Sequence, residues 1–324
     1  MSKEKLFISS HAPFWHNGTS VATKNYDIML AALPAVVMGL VQYGISALAV
    51  LSLSISTAML WELLINLARK SPITVGDGNA ALIGLLFGML LPATAPWWLV
   101  VIGTFIAVVI GKQIFGGLGC NPFSPPLVAL AIITLSWEGI INFNAALVNY
   151  DFLDNMVYPL TSAKIILKAE SGLLEYSASA LFLGRQSGGI GATFGLGLVL
   201  GGVYLILRGH IRWEIVLSFL VGLFVTALIY YGVNPDKFAT PWIHLLAGYS
   251  LIAAFFLLPD DSSSPVNVVP MLIYGAGAGF LTILIRNNGV FVDGTVFAIL
   301  LLNLASPVLD KIRPKAVGKG VEHA

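Results

Sequence analysis

The chain has 324 residues, 57% of them hydrophobic and only 10% charged, with a formal net charge of +1. Soluble domains carry roughly 25% charged residues, so a water-soluble globule is excluded. The near-zero charge gives no electrostatic footprint for nucleic acid. The single cysteine, Cys120, excludes a disulfide framework, a zinc centre or an iron–sulfur cluster built by this chain alone.

A polar lead without a secretory cleavage pattern comes first. A bilayer-spanning helix then needs about 20 apolar residues. Ten runs read as such helices: Ile28–Tyr43, Ile45–Ala68, Ala80–Leu91, Trp97–Ile110, Leu127–Trp137, Ile190–Leu207, Trp213–Tyr231, Trp242–Leu258, Val268–Ile285 and Val290–Leu309. A barrel would alternate polar and apolar residues instead, so the expected fold is an all-α polytopic membrane protein. Residues 1–137 form one five-helix half and residues 190–324 the other, joined by a polar loop at 138–189. With both termini cytoplasmic, the inner segments hold twelve of the seventeen Lys and Arg, among them Lys24, Arg69, Lys70, Lys112 and Arg208. The outer segments hold five, among them Lys164 and Arg286, and the long loop lies outside.

Five spans per half require any structural repeat to be inverted. Leu85–Pro92 in the third span echoes Ala253–Pro259 in the eighth. Both runs are short, and short segments at matching places in two halves point to discontinuous helices around a central site.

Ionisable groups within spans are expensive and are read as functional candidates. Glu62 closes the second span, either as a coupling carboxylate or paired with Arg69 or Lys70. Asp77 lies in Gly76-Asp77-Gly78-Asn79, either facing a ligand at a helix start or capping that helix. Asp260 and Asp261 follow Pro259, and Asp293 precedes the tenth span as a coupling group or a plain cap. Asp77, Asp260, Glu62 and Asp293 are therefore the ion-coupling candidates. The Gly116–Phe123 loop implies close backbone approach to a cofactor or to another helix. Gly197-x-x-x-Gly201 and Gly275-x-Gly277-x-Gly279 read as helix-packing faces. Gly184–Thr193 resembles a phosphate loop but lacks its lysine. Only His244 among the histidines lies in a span, which excludes bis-histidine haem. No metal centre or catalytic constellation stands out.

Ser71–Asn79, Leu91-Pro92, Pro96-Trp97-Trp98 and Gly111–Phe123 resemble the RnfD family, the D-type membrane component of the Rnf complex. That family is related to the B-type component of the sodium-translocating NADH:quinone oxidoreductase. The similarity continues through Leu181–Gly184, Asp260 with Ser264-Pro265, Leu281–Arg286, Gly294–Asn303 and Arg313-Pro314. It implies a ten-helix, five-plus-five inverted fold. It also implies electron transfer coupled to Na+ or H+ movement, within an assembly of flavin-bearing, iron–sulfur and helical membrane subunits in a bacterial or archaeal cytoplasmic membrane. This chain is not expected to be catalytic alone.

The resemblance also implies FMN bonded through its phosphate to a threonine of the outer loop, and a second, non-covalent riboflavin in the helical core. The corresponding stretch here is Tyr158-Pro-Leu-Thr161-Ser162-Ala163-Lys164, with Lys164 at the acceptor position. Lysine has no hydroxyl, so loss of the covalent bond is expected. Thr161, Ser162 and Thr193 (in Gly191-Ala192-Thr193) are the alternative acceptors. Lys164 is alternatively a non-covalent partner of the FMN phosphate. A flavin-free channel, a transporter or a scaffold on the same fold are the competing functions.

Overall fold

The computed structural model describes residues 20–137, 139–141, 159–160, 177–235 and 237–312. Among these the regular structure is helical, with no strand. The elements are α1 (Val21–Ala68), α2 (Asn79–Leu90), α3 (Trp97–Phe105), α4 (Pro125–Ser136), α5 (Ala178–Phe182), α6 (Gly195–Leu207), α7 (Trp213–Val233), α8 (Pro241–Leu246), α9 (Ser250–Ile252), α10 (Val268–Asn288) and α11 (Thr295–Leu309). Two of them continue as π-helical turns, α3 through Ile106–Gln113 and α9 through Ala253–Leu257. Of these helices, α1, α7 and α10 are each long and apolar enough to cross a membrane.

The first helix starts earlier than expected, because Ser20 caps it by accepting the Thr23 N–H at 3.1 Å. It is two arms, 21–43 and 45–68, parted at Gly44, whose φ of 65° and ψ of −144° are open to glycine alone. Asn25 in the first arm donates to the Asp77 carbonyl at 2.8 Å, and Asn66 in the second donates to Thr74 Oγ1 at 2.9 Å. Residues 25 and 66 thus lie at one end of the molecule. A straight helix would hold them about 60 Å apart at 1.5 Å per residue, so the chain doubles back at Gly44.

Three expected boundaries move for a common reason. Ile190–Thr193 is buried but not helical, and its helix begins only at Gly195. The run expected at Trp242–Leu258 breaks at Ala247–Tyr249, where Gly248 takes a φ of 69°. The last helix begins at Thr295 rather than Val290. Apolar composition marks what is buried in protein or lipid, and it does not separate helix from irregular buried chain.

Small residues bring the helices together. A Cβ on Gly275 would meet the Ile215 carbonyl oxygen at 2.6 Å, and one on Gly279 would meet the Leu223 nitrogen at 2.5 Å, so α10 lies backbone-to-backbone on α7. A Cβ on Gly201 of α6 would meet the Ala31 carbonyl oxygen of α1 at 2.1 Å. Both glycine patterns are helix-packing faces, as their spacing implies. We predict that Gly279→Ala destabilises the detergent-solubilised protein by about 1–3 kcal/mol through overpacking. Gly277→Ala meets only the Leu302 side chain, at 3.3 Å, and should unfold near the unaltered temperature. Thermal unfolding of the two variants side by side checks this.

Candidate functional site

Helix α2 is short and stops inside the bundle. Its last carbonyls have no intrahelical partner, and hydrocarbon offers them no water, so they must be satisfied internally. Residues far along the chain resolve it. Ile190 N–H donates to the Leu91 carbonyl at 3.0 Å, Gly191 N–H to Met89 at 2.9 Å, and the Tyr249 hydroxyl to Leu90 at 2.7 Å. Gly191 has no room for a side chain, since a Cβ there would meet Met89 at 2.4 Å. The 184–193 segment is further tied to α1: Gln42 donates to the Gly184 carbonyl, and the Tyr43 hydroxyl accepts the Gly188 N–H at 3.1 Å. The N–H groups of Gly188, Ile190 and Gly191 are therefore taken up by the protein, and the likeness to a phosphate loop is one of sequence only.

Thr193 belongs to this plug. It is buried, and its hydroxyl donates to Gln42 Oε1 at 2.7 Å. A hydroxyl so enclosed and already donating to Gln42 is a poor fit for a phosphoester to FMN. Thr161, Ser162 and Lys164 lie outside the described residues.

The acidic candidates fall into three places. Glu62 is fully buried and its Oε1 accepts from Lys112 Nζ at 2.7 Å and from Thr74 Oγ1 at 2.9 Å. The expected partners Arg69 and Lys70 are not used. They sit about two turns further on, at the helix end, where Arg69 instead donates to the Gln113 carbonyl at 3.1 Å. Asp77 accepts the Asn79 N–H at 2.8 Å and so closes the turn that starts α2, beside Gly78 with its φ of 73°. Asp293 accepts the Thr295 N–H at 3.0 Å, the Tyr249 N–H at 2.8 Å and Arg286 Nη2 at 3.0 Å. It caps α11 and also anchors the break between α8 and α9. Arg286 completes that anchor by donating to the His244 carbonyl at 2.7 Å and to Ser250 Oγ at 2.9 Å.

Asp260 lies at the edge of a cavity of about 330 Å³, at the low end of the range for small-molecule sites. Leu82, Leu86, Phe255 and Phe256 supply apolar lining, while Lys24, Asn25, Asn79, Asn121 and His210 supply polar groups. Asp260 Oδ2 accepts from Ser262 and Ser263 at 2.9 Å and from Asn121 at 3.2 Å, which ties the glycine-rich loop to the end of the α9 turn. Asp261 pairs with Lys24 of α1. A third strap links Asp27 to His210 at 2.6 Å and to Arg208 at 2.9 Å. Asp77 adjoins the same cavity through Asn25. Hence Asp77 and Asp260 come close to one site, while Glu62 and Asp293 belong to two separate buried ion pairs.

Lys112, Arg286, Thr74, Asn25 and Asn121 are not among the candidates that the sequence yields. By position along the chain Lys112 and Arg286 count as loop charges, and both are buried. Each directly follows an apolar run, Trp97–Gly111 or Leu281–Ile285, which is the signal the sequence offers.

Burial pushes the Asp260 carboxyl above the usual carboxylate range, against the hydrogen bonds of Ser262, Ser263 and Asn121, which pull it down. A raised carboxyl pKa contributes stability at low pH that is lost as pH rises through it. Asp260→Asn should therefore gain thermal stability relative to the unaltered chain as pH moves from acid to neutral. A gap in unfolding temperature that does not widen with pH would contradict this.

The chain matches the NQR2, RnfD, RnfE family over residues 8–318. It is 32% identical to the D component of the ion-translocating oxidoreductase complex of Cronobacter sakazakii, covering 97% of this chain and 99% of that protein. It is 34% identical to the D component of the proton-translocating ferredoxin:NAD(+) oxidoreductase complex of Clostridium ljungdahlii, covering 95% of each. It is also 34% identical to the D component of the Na(+)-translocating ferredoxin:NAD(+) oxidoreductase complex of Acetobacterium woodii, covering 98% of this chain and 96% of that protein. The chain belongs to the NQR2, RnfD, RnfE family.

Proposed function

We propose that this chain is the D-type membrane component of an Rnf-like, ion-translocating electron-transfer complex. The match to D-type components over nearly the whole chain carries this reading. Its partners are the helical membrane subunits and the flavin-bearing and iron–sulfur subunits of the assembly. Two relatives of equal identity are named for different ions, sodium and protons, so the reading commits to a small monovalent cation. Asp260, at the cavity, and Asp77, bonded to its lining residues Asn25 and Asn79, are the first coupling groups in this reading. Glu62 and Asp293 act through their pairs.

The proposed architecture is ten spans in two inverted five-helix halves, with both termini cytoplasmic and the 138–189 loop outside. Two matched features support it. Lys112 follows the fourth expected span and, through Glu62, reaches Thr74 just before α2. Arg286 follows the ninth and reaches His244 and Ser250 on either side of the α8–α9 break. In each half a cation at the end of the fourth span thus engages the third span or the residues just before it.

For the flavin, the reading is loss of the covalent bond at Lys164, with any FMN there held through its phosphate. The inner-end cavity has a lining suited to a flat, amphipathic ring such as riboflavin: Phe255, Phe256 and Leu86 for its faces, and Asn25, Asn79 and Asn121 for its edge. Such a group would supply one-electron carriage, while the protein residues hold it and exclude water.

Deleting the chain should abolish ferredoxin-driven ion uptake by membrane vesicles. Retained uptake, together with solute conduction by the isolated chain, would overturn the redox reading in favour of a channel. Intact mass should show no covalent flavin, and Lys164→Thr in the presence of the flavin transferase should add one FMN. No gain would move the attachment motif elsewhere.

A further inference from the structure

Glu62 and Lys112 are the most enclosed ion pair in the described chain, with side chains 1% and 2% exposed. Burying two charges costs several kcal/mol per ion after relaxation, and the pair repays this only if the remaining lone pairs are satisfied. Here they are not. Lys112 and Thr74 both bond to Oε1, while Oε2 is buried with no partner among the described residues. A purely structural pair would be expected to use both oxygens.

Two further observations concern access. Lys112 is presented by the π-helical turn Ile106–Gln113, and π turns within helices are frequent at functional sites. The cover over Glu62 is thin: Thr74 itself is exposed, as are Ser71, Pro72 and Ile73 beside it. Asn66 holds that cover by donating to Thr74 Oγ1. The Glu62 carboxylate and the Thr74 hydroxyl therefore sit together just below the surface, with one carboxylate oxygen unused.

From the shared Oε1, the orphaned Oε2 and the Thr74 cover, we infer that Lys112 is a tethered counter-cation that competes with the transported cation for Glu62. This rests on the ion-coupling reading above. When a small cation takes the carboxylate and the Thr74 oxygen, the Lys112 ammonium withdraws along its flexible stem toward the exposed residues Ile114, Phe115 and Gly116. One positive charge replaces another, so the buried site stays neutral throughout. Hard oxygen ligands suit such an ion.

The test uses the whole complex carrying Lys112→Met. Ferredoxin-driven NAD+ reduction is recorded while sodium chloride and then pH are titrated. Whichever ion activates the unaltered complex should half-activate the variant at about tenfold lower concentration, a shift typical of coupled sites. An assembled variant with an unchanged half-activation point overturns the inference. If Lys112→Met does not assemble, Glu62→Gln/Lys112→Met is read instead. Assembly with electron transfer that has lost its ion response supports the competition. An unaltered ion response, or failure to assemble, assigns the pair to packing and overturns it. An unaltered complex that responds to neither ion defeats the functional reading itself, and that result needs no variant.

Discussion

The constraint on which the rest depends is that hydrocarbon offers no water to a broken helix. α2 ends inside the bundle with carbonyls at Met89, Leu90 and Leu91 pointing where no helix continues. Their donors come from Ile190, Gly191 and Tyr249, about a hundred residues or more along the chain. The end of α2 is therefore completed only when that distant segment packs against it. Arg286 does the equivalent work at the α8–α9 break, where it serves the His244 carbonyl, Ser250, Thr295 and Asp293 together. A lysine has neither the fork nor the number of donors to replace it.

Close approach is what makes those bonds possible. Lipid tails are as apolar as leucine, so helix association in a membrane rests on packing and hydrogen bonds rather than on removal of water. Gly39 lets the Ile190 carbonyl come where a Cβ would stand at 2.1 Å, and Gly201 does the same for Ala31. Those two glycine contacts seat the plug and α6 on the first arm of α1. The frame so made is tied through backbone contacts at its middle. It stays open where the cavity beside Asp260 is held by side-chain straps, Lys24–Asp261 and Asp27–His210.

Much of this frame was legible in the residues. Hydropathy located the apolar helices, the two glycine patterns marked packing faces, and Gly44 fell between two apolar runs at the point where the chain turns. The plug was not legible. Ile190–Thr193 is as apolar as a helix, and nothing in its composition says that its N–H groups cap a distant helix. The buried cations were hidden for a different reason. A count of lysines and arginines by side treats Lys112 and Arg286 as loop charges, and only the partner carboxylate shows that they are not. Glu62 had nearer basic neighbours in Arg69 and Lys70, and sequence proximity favoured them over a partner about fifty residues away.

The two buried pairs differ in how fully they are satisfied. Arg286 spreads its donors over a carboxylate, two carbonyls and two hydroxyls, while Asp293 accepts from two backbone N–H groups as well. Breaking that set would strand many buried groups at once, which makes this pair a clamp. Lys112 makes one hydrogen bond among the described residues, to a carboxylate whose other oxygen is idle. Its removal strands a single charge, and a small cation can compensate for it. Under the competition inferred above, one pair is fixed and the other exchangeable, and a machine that moves ions one way across a membrane requires such an asymmetry.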